Sequence, residues 1–592
     1  MTFRSGLKTA PKKEVSEMLF YDFEVFKYDW LVVVLDMIAK KEYVIVNNKE
    51  QLENLYTSNK NNIWIGFNSR HYDQYIFKGI LAGFNPKEIN DFIIVEDQPG
   101  WKFSSLLRKF LLNNYDVMNG TDRGLKTFEG FMGNDICESS VPFNVDRKLT
   151  PEEIAETIKY CRHDVQQTVE VFLKRKSDFE AQMGLLQMFN MPISNISKTK
   201  VQLSAEILEA HRPIKPYNDE FDISFPPTLK IEKYKEVVEW YKNPENRCYE
   251  YVTEKGTTKK KQLEIMVDGV PTVFAWGGVH GAREKYSGEG YYINMDVASL
   301  YPSLMILYNL HSRSCNPEKF NDIVNTRLKY KAEKNPLQAP LKIVINGTYG
   351  AMKDPNNPLY DPRQANNVCV YGQLLLLDLM EKLEGHCEII QCNTDGILVK
   401  LPNGSNQAFA IIDDIAYEWE QRTGLKLEFD EYRKVFQKDV NNYVIVDADG
   451  HYKSKGAYVK KLSALDYDMA IVNKAMIEYM VNRVPAKTTI YNCHDLKEFQ
   501  QVKKASGKYK CIIHGDKVLK EKCVRCFASV DEADGGLIKI HAITGRPAKM
   551  EGTPEKCFLW NTSVEGVKTP NRLNKRWYIG VANKRLKDFG VL

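Results

Sequence analysis

The 592-residue sequence lacks the features that would place it in a membrane or a secretory pathway. It has no run of about 18 apolar residues, the length that a transmembrane helix needs. Its first residues, MTFRSGLK, have no apolar signal-peptide core. The 12 cysteines are scattered without the spacing of a disulfide framework, which is typical of a reducing compartment. We therefore expect a cytoplasmic protein with no membrane partner.

Strong charge, internal repeats and low-complexity segments are also missing. The formal net charge is only +5, which neither requires nor excludes nucleic acid, because a binding groove depends on local charge. With 43% hydrophobic and 11% aromatic residues, the composition is that of a globular protein. The chain is too long for a single hydrophobic core, so several domains are expected.

The most informative stretch of the sequence runs from Ile293 to Lys400. Its first segment, INMDVASLYPS, alternates like a strand up to Asp296 and then favours a turn into a helix near Ser299. Later, two β-rich runs surround the sequence CNTDG, which predicts a hairpin with Asp395 at its tip. Two carboxylates on neighbouring strands are suited to metal-assisted phosphoryl transfer.

Two predicted helices between these segments carry polar and cationic side chains. The sequence KIVINGTYG predicts a helix with one shared face that consists of Lys342, Asn346, Tyr349 and Gly350. On the preceding predicted helix, Arg327 and Lys331 are four residues apart and offer two phosphate donors from one face. A helical hairpin of this composition opposite two carboxylates fits the same phosphoryl chemistry.

Together, these segments resemble the three motifs of family B DNA polymerases. DVASLYPS, which starts at Asp296, is similar to motif A, KIVINGTYG to motif B, and CNTDG to motif C. The resemblance implies a right-hand polymerase with palm, short helical fingers and thumb. Such an enzyme adds dNTPs to the primer end of a primer-template DNA, and accessory proteins of the replication machinery are further candidate partners.

The resemblance also implies a role for each residue at the centre. Asp296, Asp395 and the carbonyl of Val297 would hold two Mg²⁺ or Mn²⁺ ions, about 3.5–4 Å apart in two-metal sites. Tyr301 would exclude a ribose 2′-hydroxyl, and Lys342 would reach the triphosphate. The complete set implied to bind the nucleotide is Ser299, Leu300, Tyr301, Arg327, Lys331, Lys342, Asn346 and Tyr349.

Upstream motifs point to a nuclease. FYDFEVF predicts a strand with Asp22 and Glu24 on one face, and Tyr160 and Asp164 lie one helical turn apart. With the segment from Asn68 to Asp73, they resemble the DxE, Nx3YD and YxxxD motifs of DEDDy 3′–5′ exonucleases, which precede many family B polymerase domains. The resemblance implies two metal ions, an attacking water oriented by Tyr160, a substrate strand steadied by Asn68, and four metal-binding acids: Asp22, Glu24, Asp73 and Asp164.

Weaker matches imply further contacts with DNA. Gly277 and Gly278 follow Trp276 in a segment similar to the YxGG element that touches template backbone, with Trp in place of Tyr. Tyr443 stands where the family has the Tyr of a KxY element, but Asn441 replaces its Lys. The primer contact would then come from Lys455 of the following KSKG segment, or from Lys438.

The predicted fold class is α/β and α+β with several domains. We expect an RNase H-like exonuclease domain at 1–200, a linker with the first part of the palm at 201–310, a fingers hairpin at 311–355, the rest of the palm at 356–464, and a thumb at 465–592. The compact size and the short interval between Asp296 and Lys342 suggest a phage or mobile-element enzyme that acts in the host cytoplasm.

Other interpretations stay open. A DNA-binding 3′–5′ exonuclease with a degenerate polymerase site is favoured by Asn393, which replaces the first acid of motif C. A purely structural DNA-binding protein would not need both sets of acids and tyrosines. A zinc ribbon is a weaker possibility, because the four residues with nearly the right spacing also alternate as in a buried strand: Cys511, His514, Cys523 and Cys526.

Overall fold

The computed structural model describes residues 18–215, 217–253, 256–402 and 406–592. The first eight residues, in which no signal peptide is predicted, lie outside these ranges. Across the described ranges, no helix combines the length and the apolar character needed to cross a membrane. The chain divides into two compact units. The first comprises residues up to Thr199 with Ser463–Asp468 and Gln500–Val567, and the second comprises Lys200–Leu462, Met469–Phe499 and Lys568–Leu592.

A five-stranded mixed sheet, in the order β3-β2-β1-β4-β5, forms the core of the first unit. Its central strand β1 pairs antiparallel with β2 and parallel with β4. One face is filled by aromatic side chains such as Tyr21, Trp64 and Phe77. The elements in this part are β1 (Met18–Val25), β2 (Trp30–Asp36), β3 (Lys41–Val46), α1 (Lys49–Asn59), β4 (Ile63–Gly66), α2 (Asp73–Ala82), α3 (Pro86–Asn90), β5 (Asn114–Asp116), α4 (Leu125–Met132), α5 (Pro151–Lys174) and α6 (Lys176–Met188).

A nine-stranded antiparallel sheet, in the order β16-β15-β14-β11-β13-β12-β10-β9-β8, forms the centre of the second unit. Its elements are α7 (Lys200–Ile207), α8 (Lys235–Lys242), β6 (Glu250–Val252), β7 (Thr258–Lys260), β8 (Gln262–Val267), β9 (Val270–Ala275), β10 (His280–Ala282), β11 (Tyr286–Val297), α9 (Leu300–Leu307), α10 (Pro317–Ala332), α11 (Gln338–Ala351), α12 (Pro362–Leu383), β12 (Glu388–Cys392), β13 (Gly396–Leu401), α13 (Asn406–Thr423), β14 (Leu427–Asp439), β15 (Asn442–Val446) and β16 (Tyr452–Lys455).

The predicted region 465–592 does not form one body, because Gln500–Val567 clusters with the first unit. We call Gln500–Val567 the β module, since it forms two small sheets, β17-β20-β23 and β19-β18-β21-β22. The elements are α14 (Ala470–Asn482), α15 (Ala486–Asn492), β17 (Gln501–Lys504), β18 (Tyr509–His514), β19 (Lys517–Val518), β20 (Cys523–Ala528), β21 (Leu537–His541), β22 (Pro547–Lys549), β23 (Cys557–Leu559) and α16 (Lys575–Asp588).

The side chains with zinc-ribbon spacing are divided between the two sheets of the β module. Cys511 and His514 lie on β18, whereas Cys523 and Cys526 are fully buried on β20. The His514 ring nitrogen Nε2 lies 2.6 Å from the carbonyl oxygen of Cys557. Among the described residues, the groups close enough to hold a metal ion do not include these four side chains.

Candidate active sites

The first candidate site lies at the end of β11, in the centre of the nine-stranded sheet. Asp296 is directly opposite Gly396 of β13, and the main-chain N–H of Val297 donates to the carbonyl of Asp395 at 2.7 Å. The register of the β11–β13 pair therefore brings Asp296 beside Asp395, as the sequence predicted from a strand end and a hairpin tip. After Val297 the chain turns through Ser299, which has a positive φ of 52°, into α9.

Asn393 and Gly396 explain the shape of the hairpin turn. The Asn393 side-chain oxygen accepts from the main-chain N–H groups of Asp395 at 3.0 Å and Gly396 at 2.8 Å. This residue therefore builds the turn locally, as Asn does in an Asx turn. A Cβ on Gly396 would lie 2.0 Å from Oδ1 of Asp296, so a residue larger than Gly would displace that carboxylate.

A polar cavity of about 450 Å³ opens around the two acids. Several predicted site residues line it: Asp296, Val297, Ser299, Lys331, Asp395, Tyr443 and Lys455. Lys455 rather than Lys438 therefore takes the position beside Tyr443, with which it is paired across β15 and β16. Sequence reasoning missed further lining residues: Asn294, Gln391, Glu428, Tyr432 and Lys453. Strand pairing brings in the last three from β14 and β16.

The electrostatics of this cavity fit a bound cation. Burial, together with the charge of Asp395, raises the pKa of Asp296 to about 6, although a hydrogen bond from the Asn294 amide at 2.7 Å acts against this. Gln391 Oε1 is also buried and has no hydrogen-bond partner among the described residues. Two neighbouring carboxylates with further oxygen atoms nearby are a suitable ligand set for Mg²⁺ or Mn²⁺.

Other residues predicted to bind the nucleotide do not line the cavity. The Leu300 side chain is buried in the core, so only its main chain could face a ligand. Lys342 and Asn346 are exposed on one face of α11, as predicted. Arg327 is half-buried on α10, and its Nε has no hydrogen-bond partner within the described ranges.

Tyr301 and Tyr349 form an aromatic pair. Their ring centroids are 4.4 Å apart with an interplanar angle of 48°, and both side chains are half-buried. The Tyr349 hydroxyl also contacts the Cys369 thiol of α12. Burial is the main cause that raises the pKa of Tyr301 and Tyr349 above the ordinary value. The pair therefore joins the first turn of α9 to α11.

The two glycines after Trp276 lie close to the hairpin turn that carries Asp395. A Cβ on Gly278 would lie 2.3 Å from the hydroxyl of Thr394, so glycine allows the close approach. The carbonyl of Gly277 accepts from the Gln373 side chain at 2.6 Å. Trp276 itself is buried and donates from its ring nitrogen to the carbonyl of Asn246, so it is a structural residue.

The second candidate site lies in the first unit, where the predicted nuclease motifs meet. Asp22 and Glu24 project from the same face of β1, and their carboxylates lie within 4.8 Å of one another and of the Cys161 thiol on α5. Asp73, at the first turn of α2, accepts from the main-chain N–H of Phe23 at 3.2 Å. The fourth acid, Asp164, is buried on α5.

Mutual repulsion and burial characterise this group of acids. Burial is the largest cause that raises the pKa of Asp22, and repulsion from Asp73, Glu24 and Asp164 adds to it. Burial likewise raises the pKa of Glu24 and of Asp164, and it raises that of Asp73 to about 7. Ionisation of carboxylates that are buried so close together is unfavourable unless a cation binds them. These acids could therefore hold metal ions.

Tyr160 and Asn68 are placed differently. The Tyr160 ring is half-buried, and its pKa is raised by burial and then by Asp164 and Glu24. Asn68 has a positive φ of 58°, and its main-chain N–H donates to Asp116 at 2.9 Å. Two further members of the site lie on α4: Lys126, which contacts Asp164, and the buried Glu129, which sequence reasoning missed.

The raised pKa of Asp73 predicts how stability depends on pH. Because the folded state binds this proton more tightly than the unfolded state, stability falls as pH rises from about 4 to the folded pKa of about 7. In the absence of divalent ions, Asp73→Asn should therefore raise the unfolding temperature by several degrees at pH 8 and change it little at pH 4. Thermal unfolding in a chelator measures this, with the exposed Glu156→Gln on α5 as a control. A pH-independent effect would contradict the charge account.

Comparisons with known proteins found partial matches to DNA polymerases. No family model matches the chain. DNA polymerase 1 of Aeropyrum pernix is 25% identical over 224 residues, which cover 31% of this chain and 23% of that protein. DNA polymerase 1 of Saccharolobus solfataricus is 27% identical over 169 residues, or 28% of this chain and 18% of that protein. The chain thus spans less than a quarter of the length of each relative.

A solved structure aligns with nearly the whole chain. The family B DNA polymerase from the hyperthermophilic archaeon Pyrobaculum calidifontis aligns with 98% of this chain and 78% of its own, at 15% sequence identity and a TM-score of 0.40.

Proposed function

We propose that this chain is a template-directed DNA polymerase of the family B type with a 3′–5′ proofreading exonuclease. The observation that carries the proposal is the cavity in which Asp296 and Asp395 lie side by side, with Lys331, Tyr443 and Lys455 around them. The similarity of parts of the chain to archaeal proteins described as DNA polymerase 1 supports the same conclusion.

In the proposed reaction, the primer 3′-hydroxyl gives its proton to solvent water and its oxygen attacks the α-phosphate of a dNTP. A new P–O bond forms, the bond to the bridging oxygen of the β-phosphate breaks, and pyrophosphate leaves. Asp296 and Asp395 would hold two divalent cations, which when bound neutralise charge on the triphosphate and activate the hydroxyl. Lys331 offers a further positive charge at the cavity wall, and Asn294 fixes the orientation of Asp296 through its hydrogen bond.

The proposed nuclease reaction uses the four acids of the first unit. Asp22, Glu24, Asp73 and Asp164 would hold two divalent cations, and Tyr160 would orient the water that attacks the terminal phosphodiester. The water oxygen bonds to phosphorus, and the bond from phosphorus to the 3′-oxygen of the penultimate nucleotide breaks. That oxygen takes a proton from the water, and the terminal nucleoside 5′-monophosphate leaves. The fit is supported by the burial and mutual repulsion of these acids, which a bound cation would relieve.

The competing proposal is an exonuclease whose second unit only binds DNA. Asn393 favours it by replacing an acid, but this residue has a local task in the turn, and both Asp296 and Asp395 remain at the cavity. We also propose the compact phage or mobile-element type, because α10 and α11 form a short helical hairpin between the two segments that carry the acids.

Incubation of the purified protein with Mg²⁺ and a 5′-labelled primer annealed to a longer template tests the proposal. The proposal predicts lengthening of the primer when all four dNTPs are present and shortening when they are absent. Shortening under both conditions would favour the competing nuclease proposal, and an unchanged primer would contradict both.

A change at Tyr301 tests sugar selection. If the ring fills the space of a ribose 2′-hydroxyl, Tyr301→Val should lower the preference for dNTPs over rNTPs by at least about tenfold, which corresponds to about 1.4 kcal/mol. Competing incorporation of the two sugars measures the ratio. Tyr349→Phe is a suitable control, because it keeps the ring that packs on Tyr301. If Tyr301 is only a core aromatic residue, the variant would lose stability and keep its sugar preference.

A further inference from the structure

The short helix α4 places the ammonium group of Lys126 in the proposed nuclease site. The Lys126 ammonium donates to Oδ1 of Asp164 and, at 3.2 Å, to Oε1 of Glu129. It also lies 4.6 Å from the centre of the Tyr160 ring. The Lys126 side chain is 12% exposed and that of Glu129 is 0% exposed, so these contacts are largely shielded from water. The Lys126 ammonium thus contacts both Tyr160 and Asp164, the two residues of α5 that are proposed to act in the nuclease site.

Glu129 keeps the Lys126 ammonium in this position. Its second oxygen accepts from the main-chain N–H of Cys137 at 3.4 Å, and His163 Nε2 lies 3.5 Å from the first. Because Glu129 and Lys126 are three residues apart on α4, they project from the same side of the helix. A buried ion pair of this kind depends on its geometry, since misaligned charges lose more hydration than they regain in attraction.

The C-terminal part of α4 is held by the β module. Arg525 is fully buried, and its guanidinium donates to four main-chain carbonyls. Two belong to the C-terminal turn of α4 and the loop after it, Gly130 at 3.0 Å and Asn134 at 2.7 Å. The other two belong to the β module, Trp560 at 3.2 Å and Thr562 at 2.7 Å. A single side chain therefore joins segments that are almost 400 residues apart.

Further hydrogen bonds connect α4 and the loop after it to the β module. The main-chain N–H of Ile136 donates to the carbonyl of Asn561 at 2.7 Å, and that of Val564 donates to the carbonyl of Gly133 at 2.9 Å. The Cys523 thiol contacts the carbonyl of Lys126 itself. These bonds fix the position of α4 and of the loop that follows it.

Gly130 sets how closely α4 approaches strand β17. A Cβ at this position would lie 2.6 Å from Cγ1 and 2.8 Å from Cγ2 of Val502. Gly130 has no positive φ, so alanine would suit its helical conformation and would favour the helix. The glycine is therefore explained by the distance between α4 and the β module.

From these contacts we infer that Lys126 is a positioning residue of the exonuclease site and that the β module holds it in place through α4. The inference rests on the proposed nuclease function and extends it. Lys126 fixes the orientation of Asp164 and Tyr160, and Arg525 and Val502 fix the orientation of α4. The degradation of a 3′ end thus depends on a segment of the chain that contains none of the nuclease motifs.

Removal of the positive charge of Lys126 tests whether this residue positions the nuclease site. Lys126→Met should lower the turnover of a single-stranded 3′ end at least tenfold with little change in KM, and Lys126→Arg should recover part of it. Binding of Mn²⁺ alone is measured in a protein that also carries Asp296→Ala and Asp395→Ala. In this background, the Lys126→Met variant should bind Mn²⁺ at least as tightly as the protein that keeps Lys126. Unchanged turnover, or a loss of Mn²⁺ binding together with turnover, would overturn the positioning role.

Substitutions at Gly130 and Val502, which lie in contact, test the proposed role of the β module. Gly130→Ala should lower nuclease turnover at least threefold while primer extension stays unchanged. Gly130→Ala combined with Val502→Ala, which removes the two colliding methyl groups, should return turnover to within twofold of the wild type. No effect of Gly130→Ala, or no recovery in the double variant, would overturn the role of the β module. A wild-type protein without nuclease activity would instead refute the proposed nuclease itself.

Discussion

Asp296→Ala and Asp395→Ala, made separately, are expected to abolish nucleotide addition while 3′–5′ degradation continues. Each carboxylate would hold both metal ions, so its loss should lower the rate of extension by more than the roughly hundredfold typical of residues that only support a metal ligand. The nuclease acids belong to the other unit of the chain, so degradation should be unaffected. Single-turnover extension and digestion of the same labelled primer measure both effects.

Loss of folding is not expected to cause this result. The raised pKa of Asp296, about 6, means that its charge is a cost to the metal-free fold at pH 8. The Asp395 side chain is exposed, and the turn around it is held by Asn393 and the main chain. Asp449→Ala is a matched control, because it removes an exposed acid from another hairpin turn of the same sheet. Near-normal extension by either active-site variant would refute the assignment.

The double substitution Asp22→Ala with Glu24→Ala is expected to have the opposite effect. It removes two neighbouring acids of the proposed nuclease site, so a single-stranded 3′ end should persist. Extension should continue, and net synthesis at low dNTP concentration should increase because products are no longer degraded. A time course of digestion without dNTPs gives the rate directly.

The matched control for this experiment removes two acids elsewhere in the same unit. Glu50 and Glu53 are exposed on α1, so Glu50→Ala with Glu53→Ala changes the net charge equally without touching the site. The purified control should digest the 3′ end at the wild-type rate. Continued digestion by the Asp22, Glu24 variant would mean that these acids are not the nuclease centre.

Local patterns in the sequence predicted most of the elements that carry the sites. The two predicted helices that carry Arg327 and Lys342 correspond to α10 and α11, and α10 begins where Asn316 caps it and Pro317 occupies its first position. The strand predicted up to Asp296 is β11, and the hairpin predicted with Asp395 at its tip is formed by β12 and β13. Alternation, turn residues and caps act over a few residues, so they can be recognised from sequence alone.

Long-range pairing could not be predicted in the same way. Lys453 reaches the cavity of Asp296 because β14, the first strand of the β14-β15-β16 meander, pairs with β11, and no local pattern specifies that pairing. The β module was expected to belong with its neighbours in the sequence, but it packs on α4 through Arg525. Glu129 was missed for the same reason, since its neighbour His163 lies on another helix.

Single-nucleotide addition on four templates tests the central claim most directly. The four templates differ only in the first unpaired base, and each is incubated with the Asp22→Ala, Glu24→Ala variant and one dNTP at a time. A template-directed polymerase extends the primer in the four complementary combinations and much less in the other twelve. Extension independent of the template base, or none in any combination, would contradict the account.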